Sequence, residues 1–151
     1  MAVDPGGDLY VVDRANRQVW KLAAGANAPT VLPFPGLHGP NGLAVDTEGN
    51  LYVADNYPNR VVKLAAGASS ATALPFTDLK HPVAVEVDTG GNVYVVDNGS
   101  NRVLKLAAGA SVPTPLPFTG LGNPQAVTVD TGGNVYVTDA RNKRVLKLPA
   151  Q

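Results

Sequence analysis

The chain has 151 residues, enough for one ordinary domain core. Twelve Lys and Arg balance twelve Asp and Glu, which excludes binding to nucleic acid or membrane by bulk charge and leaves room for a local patch. There is no cysteine, which excludes disulfide and thiolate chemistry, and no apolar run is long enough for a membrane helix.

Asp13, Asp55, Asp97 and Asp139 stand 42 residues apart, and so do Lys21, Lys63, Lys105 and Lys147. A fixed period without insertion or deletion is the mark of a repeat array. The units run over about 1–41, 42–83, 84–125 and 126–151, as one repeat segment. Met1 holds the place of Leu43, Val85 and Val127, so the sequence starts inside a strand with no leader before it and reads as a piece of a longer array.

In each unit, strand a is predicted over Ala2–Asp4, Leu43–Asp46, Val85–Asp88 and Val127–Asp130. A turn follows with Gly7, Gly49, Gly91 or Gly133 before Asp or Asn, a place for positive φ in a tight hairpin. Strand b is LYVV, LYVA, VYVV or VYVT, closed by the recurrent Asp. It is apolar on both faces and so needs cover on both sides. Tyr10, Tyr52, Tyr94 and Tyr136 share one place there and read as core.

The b–c connections are Arg14–Arg17, Asn56–Asn59, Asn98–Asn101 and Ala140–Lys143, the most variable part of the unit. The recurrent Asp is expected to accept their backbone N–H groups in an Asx-turn, with Arg60, Arg102 and Arg144 bridging to it or to a neighbouring blade. Strand c is predicted over Val19–Leu22, Val61–Leu64, Val103–Leu106 and Val145–Leu148. Strand d is predicted at Leu32–Phe34, Leu74–Phe76 and Leu116–Phe118, with an internal Pro that confines it to a sheet edge. Pro40, Pro82 and Pro124 fall in the returning d–a connections.

The fold class is therefore all-β: antiparallel blades stacked about an axis as a β-propeller. Three blades are complete and the fourth lacks its outer strand, giving a count of 15 strands. A partial ring of this kind implies either an open arc or association with a second copy through the open end blades.

The segments PNGLAVDTEGNLYVADNYPNRVVKL and PVAVEVDTGGNVYVVDNGSNRVLKL resemble the NHL repeat. With the added AAGA and LPF tail, the unit is similar to the extracellular sensor propeller of PknD-type actinobacterial receptor Ser/Thr kinases. That resemblance implies a six-bladed sensor domain outside the cell, tethered through a membrane helix to a kinase. This chain departs from it by having about four units, no membrane helix, no Gly-rich nucleotide loop and no H-R-D or D-F-G signature. Kinase activity is therefore not carried over.

Once the repeated charges are set aside, the cations Arg14, Arg17, Lys80, Arg141 and Lys143 all fall in b–c or d–a connections. Those connections share one face, the top. Asp8 and Glu48 lie in a–b turns on the opposite face. A basic top face attracts an anionic ligand or protein; the bland alternative is a set of solvated loop charges. Tyr57, Asn98, Asn101, His38 and His81 complete the candidate ligand-binding set.

Two histidines without a third ligand are a weak metal signal, and no catalytic, metal or cofactor residue is assigned. The expected function is a non-catalytic binding module for a protein, peptide or cell-wall ligand, with no nucleic-acid partner. Two alternatives stand: a metal-dependent lactonase- or lyase-type propeller, and a self-assembling fragment with no ligand.

Overall fold

The computed structural model describes residues 1–151. The 15 strands are β1 (Ala2–Val3), β2 (Leu9–Asp13), β3 (Gln18–Leu22), β4 (Thr30–Val31), β5 (Pro40–Val45), β6 (Leu51–Asn56), β7 (Asn59–Leu64), β8 (Thr72–Ala73), β9 (Pro82–Val87), β10 (Val93–Asp97), β11 (Arg102–Leu106), β12 (Thr114–Pro115), β13 (Pro124–Val129), β14 (Val135–Asp139) and β15 (Arg144–Leu148). They form sheets β1-β2-β3-β4, β5-β6-β7-β8, β9-β10-β11-β12 and β13-β14-β15, all antiparallel. The last sheet lacks the fourth strand, as the 42-residue count requires.

Three predicted elements are corrected. Strand d is the two-residue pair before Leu-Pro-Phe, not that tripeptide. Pro33, Pro75 and Pro117 offer no N–H to a ladder. They sit instead in tight turns in which Phe34, Phe76 and Phe118 N–H donate to Leu32, Leu74 and Leu116 carbonyls at 2.9, 2.8 and 2.8 Å. Their fixed φ suits this inverse γ-turn geometry. The turn sends each phenyl ring inward, burying Phe34 and Phe76 and half-burying Phe118.

Strand a begins earlier than expected, at Pro40, Pro82 and Pro124, where a first-residue proline interrupts no ladder. Each of these strands carries a register shift just after its proline. β1 starts at Ala2, and Met1 lies outside it.

Period-2 alternation gives every blade two unlike faces. One carries Tyr and the other carries the branched aliphatics. The Tyr face of each blade packs on the aliphatic face of the next. Tyr10 and Val19 meet Leu43, Leu51, Val53 and Leu64. Tyr52, Ala54 and Val61 meet Val85, Val93, Val95 and Leu104. Tyr94, Val96 and Val103 meet Val127, Val135 and Val137. Phe34 and Leu37, then Phe76 and Leu79, plug the outer ends of the first two layers.

The two end faces stay open. Val53 and Val95 are fully buried, while their counterpart Val11 is 38% exposed; Val103 is fully buried, while Val145 is 65% exposed. The chain is an open arc of propeller blades.

Beneath each blade an Asp ties the a–b turn together. Asp46 Oδ1 accepts the Glu48 and Asn50 N–H groups, and Oδ2 accepts the Tyr52 hydroxyl at 3.0 Å. Asn50 Oδ1 accepts the Ala66 N–H and so joins the a–b turn to the c–d turn. Asp88 and Asp130 repeat the arrangement. Each recurrent Lys, cross-strand from the Tyr, lies over its ring at 5.2–5.5 Å. In the first blade Asp8 replaces the Asn and pairs with Lys21 at 2.6 Å.

Burial acts to raise the carboxyls of Asp46 and Asp88. Hydrogen bonds from Asn50 and Tyr52, and from Asn92 and Tyr94, outweigh it and hold both below the ordinary value. A depressed carboxyl contributes stability above its unfolded value, near 3.9, and loses it as pH falls through the folded value. The urea midpoint is therefore expected to be level from about pH 8 to pH 5 and to fall below about pH 4. Asp88→Asn should make that fall shallower; an unchanged acid limb in this variant would remove the assignment.

Candidate functional site

Antiparallel pairing puts the b–c and d–a connections of every blade at one end, the top. The recurrent Asp sets how these loops sit. Asp55 Oδ1 accepts the His38 and Gly39 N–H groups at 3.2 and 2.7 Å. Asp97 accepts Lys80 N–H at 2.6 Å, and Asp139 accepts Gly122 N–H at 2.7 Å. All three carboxylates are fully buried.

The expected Asx-turn into the b–c loop is thus corrected for these three: their backbone donors come from the d–a connection. Only Asp13 keeps that turn, through Asn16 N–H at 3.0 Å. In its blade Gln18 stands cross-strand from Asp13, in the place of Arg60.

The expected arginine bridges are present. Arg60, Arg102 and Arg144 pair with Asp55, Asp97 and Asp139 at 3.2, 2.9 and 2.9 Å. The same guanidinium groups donate to the Gly36, Asp78 and Gly120 carbonyls. Each Asp–Arg unit therefore holds both ends of one d–a loop. The Asp139 carboxyl is pushed up by burial, yet Asn142, Gly122 and Arg144 hold it below the ordinary value.

Of the ten candidate residues, Arg14, Arg17, His38, Tyr57, Lys80, His81, Asn101, Arg141 and Lys143 are exposed, and Asn98 is half-buried. The two asparagines reach to the next blade. Asn101 Oδ1 accepts Asn123 N–H at 2.7 Å, and Asn98 Nδ2 donates to Asn123 Oδ1 and the Pro124 carbonyl. One blade earlier, Asn59 Oδ1 accepts His81 N–H and Asn56 Nδ2 meets His81 Nε2 at 2.9 Å.

Sequence reasoning left out Asn56, Asn59 and Asn123. The signal was available in part, because Asn59 and Asn101 share a place that Arg17 and Lys143 hold in the end blades. His38 and Tyr57 come together edge to face, with ring centres 6.1 Å apart. His38 and His81 do not share a donor set: His38 Nδ1–H donates to the Gly36 carbonyl, and His81 meets Asn56. No three His, Cys, Asp or Glu side chains stand together as a metal site.

The buried Asp–Arg pairs cancel. On the top face this leaves five cations, Arg14, Arg17, Lys80, Arg141 and Lys143, against two carboxylates, Asp13 and Asp78. Below, six carboxylates (Asp4, Asp8, Asp46, Glu48, Asp88, Asp130) stand against four lysines. The balanced chain is therefore polar from face to face, with a basic top.

A family model described as "NHL repeat" matches residues 37–64 and 121–148, each a d–a connection followed by strands a, b and c. No curated protein matches the sequence. Among solved structures, a streptogramin B lyase is 17% identical with a TM-score of 0.77, covering 98% of this chain and 53% of its own. A virginiamycin B lyase from Staphylococcus aureus is 15% identical with a TM-score of 0.75, covering 99% and 54%. A nidogen/laminin complex is 20% identical with a TM-score of 0.78, covering 99% and 63%. This chain thus spans about half the length of the lyases. At such identities the likeness is one of fold, and the fold serves an enzyme and a protein complex alike. Two segments of the chain thus match the NHL repeat, and the whole folds as the blades of a β-propeller.

Proposed function

We propose that this chain is a non-catalytic binding module whose top face takes an anionic protein, peptide or cell-wall ligand. One observation carries the reading: every cation without a repeated structural partner projects from the top-face loops, on a scaffold that fixes their backbone. Loops held by a rigid frame are where recognition sits. One of the neighbours, the nidogen/laminin complex, is a protein assembly.

By its resemblance to PknD-type receptor kinases, the module would serve as part of an extracellular sensor domain in an actinobacterial receptor. Ligand binding there would act through dimerisation or domain orientation.

The test is calorimetry with candidate anionic ligands on the parent and on Arg14→Ala, Arg17→Ala, Arg141→Ala and Lys143→Ala together. Each exposed ion pair is worth at most about 1 kcal/mol, so the combined variant is expected to bind roughly tenfold or more weakly at low salt. The difference should shrink as salt shortens the Debye length to about 8 Å. Equal affinity in parent and variant would sink the top-face assignment.

A second reading, self-association, rests on the exposed Val11 and Val145 and on the apolar face formed by Leu9, Trp20 and Leu22. It gives a mass in solution above that of one chain, and Val11→Asp should return it to one chain.

A further inference from the structure

The d–a and b–c loops of each blade meet at one equivalent place. There residue 38 faces 57, residue 80 faces 99, and residue 122 faces 141, each pair 42 residues from the last. In the third and fourth blades the place has room for one large side chain. A Cβ on Gly99 would run into the Lys80 carbonyl oxygen and meet its Cβ at 3.0 Å. A Cβ on Gly122 would meet Arg141 Cβ and Cδ at 3.1 and 3.2 Å. The glycine falls on opposite loops in the two blades, yet the outcome is the same: one exposed cation over a bare backbone.

The backbone beneath is fixed as well. Gly99 N–H donates to the Lys80 carbonyl at 2.6 Å, and Arg141 N–H donates to the Gly122 carbonyl at 2.9 Å. In the second blade both loops carry a ring, and His38 and Tyr57 stand edge to face. The Gly36 carbonyl only accepts, so His38 Nδ1 carries the proton of their 2.8 Å hydrogen bond. The first blade has only Ala15 at this place.

We propose that these three places form a reading arc for an extended acidic peptide segment. Its carboxylates would lie on Lys80 and Arg141, and an aromatic or aliphatic side chain would lie on the His38–Tyr57 pair. The inference rests on the top-face reading above and narrows it.

Charge pattern favours a peptide over a polyphosphate. At these places the cations come singly, Lys80 in the third blade and Arg141 in the fourth, and the exposed carboxylate of Asp78 lies between the second and third places in sequence and on the same face. A continuous polyanion meets that carboxylate unfavourably, whereas a peptide can set an uncharged residue against it. An aromatic platform at one end gives the arc a direction.

The test uses fluorescence anisotropy of labelled short peptides carrying two Glu at varied spacing and a Phe at one end. The comparisons are their Gln counterparts, a Phe-to-Ala counterpart and an oligothymidylate, at about 50 mM salt. One spacing should bind best and its Gln counterpart should not bind. Lys80→Ala and Arg141→Ala should each weaken it roughly two- to fivefold. Tyr57→Ala should weaken the Phe peptide and leave the Ala counterpart unchanged. The bottom-face variant Glu48→Gln should change nothing.

Binding lost through Arg14 and Arg17 but indifferent to Lys80, Arg141 and Tyr57 would keep the top-face function and overturn the arc. Oligothymidylate binding as tightly as the peptide, or no spacing preferred over its Gln counterpart, would also overturn it. Binding that moves only with bottom-face residues would overturn both readings.

Discussion

Replacing Asp97 by alanine is expected to lower the unfolding free energy by about 3 kcal/mol, among the largest effects of any polar substitution in the chain. The carboxylate is fully buried and accepts Lys80 N–H at 2.6 Å and Arg102 Nε at 2.9 Å. Removing it leaves a backbone donor without a partner and a guanidinium without its counter-charge. Removing one member of a buried ion pair costs about 3–5 kcal/mol. The lower figure applies because the Arg102 side chain is 35% exposed and can recover water.

In urea the midpoint should fall by roughly 1–2 M. Asp97→Asn should fall between parent and Ala, since its Oδ1 still accepts Lys80 N–H while its amide opposes Arg102. The d–a loop should lose hydrogen-exchange protection at Lys80 before the strands do. A midpoint for Asp97→Ala within about 0.3 M of the parent would show that the buried Asp does not staple the loop.

That staple marks where the sequence stops being legible. A 42-residue period and a period-2 apolar pattern fix the strand count, the blade order and the open fourth blade, because each is written within one segment. The turn glycines were legible for the same reason, and Gly7, Gly49, Gly91 and Gly133 all have positive φ.

What was misread depends on groups that sequence does not place side by side. Asp55 takes its backbone donors 16 and 17 residues upstream, from a loop whose composition differs in every blade. The Leu-Pro-Phe tripeptides look like strand by hydrophobicity, yet the proline turns the chain inward two residues past the last ladder pair. The candidate site divides in the same way. That the top loops carry the variable cations is plain from the repeat. That Lys80 stands over Gly99, and Arg141 over Gly122, follows only from the meeting of two loops.

The close approach of inner strands is a second feature of that kind, and it gives the other large effect. Gly42 lies in β5, where its counterparts in the next two blades are Ala84 and Ala126. A Cβ there would stand 2.6 Å from Ala84 Cα, 2.8 Å from Val85 N and 3.0 Å from Ala84 C. All three are backbone atoms of β9, so no side-chain rotamer can relieve the overlap. Gly42 does not have positive φ, so the demand is for space rather than for backbone freedom.

Gly42→Val is therefore expected to wedge the second blade from the third. The cost should reach or exceed the upper end for overpacking, about 3 kcal/mol. It should also expose the shared layer of Tyr52, Val61, Val95 and Leu104. Gly42→Ala should cost less, because one methyl asks for a smaller shift. Ala84→Gly removes only a Cβ and leaves those three backbone atoms in place, so combined with Gly42→Val it should recover little of the loss if the two strands meet as described. The check is the urea midpoint of the four proteins, with hydrogen exchange at Val93 and Val95 to show that the loss is at this layer. A Gly42→Val protein as stable as the parent would mean that β5 and β9 stand further apart.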